Sequence, residues 1–199
     1  MNVLVDTLPN QIEIGGRGYE IDTDFRTALR IILAFEDSEL SAAEKQYLLV
    51  DNLYLDKPDD MQSAIREGIK FLDGGGDDEE DSGSGSPRLY SFSRDANMIY
   101  SAFQQTHGID LQKAQLHWWQ FLALFMDLGS ETLFCSLVGL RKRVKTGKAS
   151  REEKQVAREM GAAFEVPEID NRSLAEREAD DDFMKQIQHA RANKKRGDR

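Results

Sequence analysis

Leu116–Leu128, LHWWQFLALFMDL, concentrates the apolar residues of an otherwise polar chain, and its reading decides the fold. At helical spacing Trp118, Phe121, Leu122, Phe125 and Leu128 form one stripe, while Trp119, Ala123 and Met126 cover another. A helix apolar on so many sides is usually enclosed by others, so this stretch is expected to be the central core helix. Ser130–Lys145 carries the next strongest pattern, with Leu133, Leu137, Leu140 and Val144 on one face, and the two are expected to form a helical hairpin joined at Gly129. Adjacent residues on a helix point about 100° apart. Trp118 therefore belongs to the core stripe, and Trp119, off it, is the candidate for contact with a partner.

Upstream, Ile12, Ile14, Tyr19 and Ile21 alternate around a glycine-rich turn, which predicts a small β-hairpin over about 12–21. No Lys-Ser/Thr pair follows these glycines, so the turn does not read as a phosphate-cradling loop. Thr23 or Asp24 can cap a first amphipathic helix carrying Phe25, Ala28, Leu29, Ile32 and Phe35. Ser41 and Glu44 form a capping-box signature for a second helix, which ends before Pro58. A third begins at Asp59 or Asp60 and stops at Gly74; a fourth follows Ser93 or Asp95 and closes at Gly108.

Between the third and fourth helices, residues 73–86 read DGGGDDEEDSGSGS. With no apolar residue to offset ordering entropy and a block of like charge, this run predicts a flexible acidic loop. It lacks the ligand order of a calcium-binding EF-hand. Ser150 and Glu153 mark another capping box for a charged helix to about Met160. Residues 171–199 are rich in charge, with isolated Leu174, Phe183, Met184 and Ile187. Residues 161–199 read as a charged, partly disordered extension of a helical domain spanning 1–160. The expected fold class is mainly α: a compact helical domain with a small N-terminal β-hairpin, a flexible acidic loop and a charged C-terminal extension.

A net charge of −10 argues against general affinity for nucleic-acid phosphates. The longest apolar run falls short of the roughly 20 residues that span a bilayer, and the N-terminus does not read as a secretory signal. The single cysteine, Cys135, rules out an internal disulfide and suits a buried reduced thiol. His107, His117 and His189 lack the spacing of a zinc site. His107 reads as a helix-end or surface residue, and His117 as a partner in a hydrogen bond at the core edge. Abundant carboxylates are not by themselves an acid and base pair held across a substrate. The residues thus predict no catalytic site, no cofactor and no metal. Arg141, Lys142, Arg143 and Lys145 suit the negative end of a helix dipole. Arg141, Lys142 and Arg143 are also candidates for contact with an acidic partner.

The order IEIGGRGYEIDTDFRTALRI, an acidic gap, YSFSRDANMIYSAFQQTHGIDL, LHWWQFLALFMDL and FCSLVGLRKR resembles the gene-product-fifteen type proteins of long-tailed bacteriophages, over roughly residues 10–150. The D-F-R turn, the Y-x-A-F segment and the H-W-W-x-F block carry the likeness. It implies a non-enzymatic tail-assembly chaperone in the host cell cytoplasm. The implied partners are the phage tape-measure protein and the tail-tube protein, with a second tail-assembly chaperone as a further candidate. The alternative is a structural or adaptor component of the finished tail.

Overall fold

A computed structural model describes residues 2–75 and 88–166. The expectations for residues 76–86 and for 167–199, including His189, lie outside the described residues. Within them the protein is mainly α. Strands β1 (Gln11–Ile14) and β2 (Arg17–Glu20) precede helices α1 (Phe25–Glu36), α2 (Ala42–Leu53), α3 (Met61–Leu72), α4 (Ala96–His107), α5 (Trp118–Met126), α6 (Leu133–Lys145) and α7 (Arg151–Met160). No described helix is long and apolar enough to cross a membrane.

The strands pair antiparallel with Ile12 opposite Tyr19 and Ile14 opposite Arg17. The loop is thus only Gly15 and Gly16, both at positive φ (59° and 81°), as a tight two-residue hairpin turn requires. Arg17 and Gly18, the rest of the glycine-rich stretch, belong to β2. The chain beyond the hairpin is stitched to two helices by backbone bonds. Asp22 donates to the Leu53 carbonyl at the end of α2, and Trp118 N donates to Thr23 O at the start of α5.

Asp24 and Asp60 are the residues that cap α1 and α3, and both predicted Ser/Glu capping boxes form. α1, α2 and α3 pack in succession. α2 and α3 approach closely at Gly68, where a Cβ would meet Leu49 Cδ2 at 2.7 Å. Phe121 lies at the centre of the core. It is fully buried and stacks on Phe25, Phe103 and Trp118 with ring centroids 4.9–5.5 Å apart. Each such pair is worth about 0.5–1.5 kcal/mol beyond the area it buries.

Two expectations for the central stretch need correction. α5 is shorter than LHWWQFLALFMDL, because His117 is in an extended conformation and caps it, and it is not enclosed on all sides: Met126 is 82% exposed. Nor do α5 and α6 form a helical hairpin. α5 packs on α1 and α4, whereas α6 packs on α4 and α7. Thr132 caps α6, its hydroxyl bridging the Gly129 carbonyl and the Cys135 amide, and the residues between the helices re-aim the chain. Phe125 and Phe134 still meet across the junction at 5.5 Å.

Candidate functional site

The C-terminus of α3 explains the adjacent tryptophans. Gly74 and Gly75, at φ 81° and 78°, turn the chain so that Gly75 N donates to Lys70 O and Gly74 N to Phe71 O, the paired bonds of a Schellman cap. The Trp119 indole then donates to Phe71 O, and the Trp118 indole to Leu72 O, each at 2.8 Å. Two side chains diverging from α5 thus cap successive carbonyls of another helix, meeting the demand of a helix end for donors. Trp119 also stacks on Phe71, and a Cβ on Gly75 would lie 2.7 Å from its ring. Trp119 is therefore half-buried and engaged within the chain, not projecting from it.

His117 fixes the start of α5 from both ring nitrogens. Its Nδ1 accepts from Trp119 N at 3.0 Å, which leaves Nε2 to donate to the Pro9 carbonyl at 2.9 Å. This is the expected core-edge hydrogen bond. His107, at the end of α4, reaches the Leu124 carbonyl of α5 at 2.9 Å. Cys135 is only partly buried, and its thiol faces the Leu128 carbonyl at 3.4 Å.

The same arrangement opens a cleft of about 530 Å³ between the ends of α1 and α3, the segment 88–92 and α5. Trp118 forms part of its wall. Ile32 and Phe35 of α1, Leu72 of α3 and Leu122 of α5 line it as half-buried apolar side chains. Leu89, Tyr90 and Phe92 close the far side. Asp73 stands exposed at the mouth, its carboxyl pushed above the ordinary range by partial desolvation.

Glu36 holds that far side in place. Its side chain is 6% exposed and accepts from Ser91 Oγ (2.7 Å), Phe92 N (2.9 Å) and Ser93 N (3.1 Å), and it pairs with Arg88. Burial raises its pKa, but these donors outweigh it and the net shift is downward. Carboxylates at a helix C-terminus normally oppose the dipole; here the four donors offset that cost.

Beside the cleft lies a polar clasp. Arg141 is completely buried, and its guanidinium donates to Asp95 Oδ2 (2.6 Å) and Oδ1 (3.0 Å) in a bidentate pair. The remaining donors reach the carbonyls of Leu89 (3.1 Å), Ala163 (3.0 Å) and Phe164 (2.7 Å). Asp95 occupies the cap position of α4 without capping it, because its carboxylate is committed to Arg141 and to the Ser91 amide. Arg141, expected on a solvated basic helix end, is therefore absent from the surface. Lys142 and Arg143 are exposed, and Arg143 pairs with Glu153 at 2.7 Å. The structure does not bring Trp119 together with the basic group.

The cleft and the clasp escaped sequence reading, because both join residues distant in the chain. The one local signal was Asp95 itself, an acidic residue at a helix start, which reads as an ordinary cap. Among the described residues no group of three or more His, Cys, Asp and Glu side chains is placed to hold a metal.

No curated protein and no solved structure matches the chain. The family model described as bacteriophage Gp15 protein matches residues 4–166, which include every described element, the cleft and the clasp. The chain therefore belongs to the bacteriophage Gp15 protein family.

Proposed function

We propose that this protein is a non-enzymatic tail-assembly chaperone that takes up apolar segments of the phage tape-measure protein and assists tail-tube assembly in the host cytoplasm. Family membership over residues 4–166 carries the reading. On this reading a long, aggregation-prone tape-measure chain is kept soluble by a reversible cover until tail-tube subunits enclose it. The apolar cleft is suited to provide one, since half-buried side chains line a preformed groove and an amphipathic helix can lay its apolar face into it. The net charge of −10 keeps such a binder from associating with itself. Arg141 is buried in the clasp and the Trp119 indole is bonded to Phe71 O, so the reading rests on the cleft and not on these two side chains. Lys142 and Arg143 remain as peripheral contacts.

Co-expression tests the reading. The tape-measure protein should stay in the soluble fraction when the two are produced together and precipitate when it is produced alone. Unchanged solubility, together with normal tail length in phage lacking this gene, contradicts the proposal. Stoichiometric copies in purified virions favour a permanent tail component instead.

A further inference from the structure

We propose that the cleft is selective for a basic amphipathic helix, whose apolar face covers Ile32, Phe35, Leu72 and Leu122 while a lysine or arginine at the edge of that face pairs with Asp73. This deepens the groove reading proposed above and rests on it.

The first observation is the direction of the helices that meet here. Glu36 is the last residue of α1 and Leu72 the last of α3, and both line the cleft. Two helix C-termini therefore converge on it, each bringing the negative end of its dipole. α5 begins at the same wall with Trp118, but its first amides are engaged: Trp118 N donates to Thr23 O and Trp119 N to His117 Nδ1. Its positive end is thus answered within the chain.

The second observation is an unbalanced carboxylate. Of the three charged side chains in the lining, Glu36 and Arg88 pair with each other. Asp73 is the third. Partial desolvation pushes its pKa upward, and no cation among the described residues, Lys70 one turn earlier in α3 included, pulls it back. Its exposed carboxylate stands at the mouth, next to Leu72, without a partner among the described residues.

These two features decide the occupant. An acidic helix would set carboxylates against Asp73 and against both negative helix ends. A wholly apolar one would desolvate Asp73 further with no cation to offset the cost. A lysine avoids both, since its stem can lie along Leu72 while its amine reaches the rim. Affinity then comes from apolar contact and selectivity from the rim charge.

The test is fluorescence anisotropy of the full-length chain with labelled synthetic peptides of about 18 residues, carrying leucine at i, i+3, i+4 and i+7. They differ at one position at the edge of the apolar face, Lys, Gln or Glu, and the change is made at either edge in turn. At one edge the Lys form should bind about fivefold more tightly than the Gln form, and the Gln form more tightly than the Glu form. In Asp73→Asn the gap between Lys and Gln should shrink below about twofold, and in Asp73→Lys the order should reverse. Leu122→Glu should weaken all three by at least about tenfold. Equal affinities at both edges, tighter binding of the Glu form, or an order unreversed in Asp73→Lys overturns the proposal. So does a gap that survives in Asp73→Asn, which would come from the net charge of −10 alone. If any of these occurs while Leu122→Glu still weakens binding, the groove reading stands without its charge selectivity. If no peptide binds, or Leu122→Glu changes nothing, the groove reading fails and this inference with it.

Discussion

The clasp around Arg141 and the cleft beside it share Leu89, yet they are built in opposite ways. In the clasp a buried cation has a partner for each donor group: a bidentate carboxylate and three carbonyls. In the cleft, large apolar side chains from four parts of the chain converge and remain half-exposed. The contrast separates two jobs. A fully satisfied polar network holds the segments at 89–95 and 163–164 in one geometry, while the apolar surface next to it stays incompletely buried.

The largest expected effect comes from breaking the clasp. Arg141→Met leaves the Asp95 carboxylate buried without its cation, and denaturant unfolding should show a loss of about 3–5 kcal/mol. Adding Asp95→Asn should recover part of it by removing the unpaired charge. A loss under about 1 kcal/mol would mean that the network is not what fixes this end of the molecule.

A second buried cation sharpens the comparison from the other side. Lys45, in the first turn of α2, is 1% exposed, and its Nζ has no hydrogen-bond partner among the described residues. Its stem follows the core stripe of α2 while its amine gains nothing. Lys45→Met keeps the stem's volume and removes the charge, so it should stabilise the fold by about 1–3 kcal/mol in the same unfolding assay. Destabilisation would show that the amine is satisfied after all.

The smallest effect lies at the cleft wall and depends on pH. The Glu36 pKa is lowered on folding from its ordinary value of 4.5, so folded Glu36 holds its proton less tightly than the unfolded chain does. Its contribution is fully present above pH 4.5 and is lost as pH falls through the lower folded value. Glu36→Gln should therefore flatten the acid limb of the stability curve and loosen the segment at 88–93, read by hydrogen exchange at the Phe92 and Ser93 amides.

Much of the fold was legible because its signals are local. The glycine turn, the Ser41–Glu44 and Ser150–Glu153 boxes and the Trp118, Phe121, Phe125 stripe each act within one or two helical turns, and each appears where periodicity put it. The helical hairpin expected of α5 and α6 failed because apolar patterning identifies a buried face without saying which neighbour covers it. Arg141 shows the same limit in polar form. A cation in the last turns of a helix reads as dipole-matched surface, and only Asp95, 46 residues away, makes it core. Trp119 lay off the stripe as expected, but its hydrogen-bond partner belongs to α3 and left no mark near it in the chain.

The central claim, that the cleft receives an apolar segment of the tape-measure protein, is tested most directly by pull-down of that protein with two charge substitutions on α5. Leu122→Glu places a carboxylate in the cleft wall, and Met126→Glu places one at a position 82% exposed and outside it. With both variants folded by circular dichroism, Leu122→Glu should reduce capture at least about tenfold, the effect of roughly 1.4 kcal/mol, and Met126→Glu should leave it unchanged. Equal capture by Leu122→Glu and the unaltered protein, or loss with Met126→Glu alone, would contradict the account.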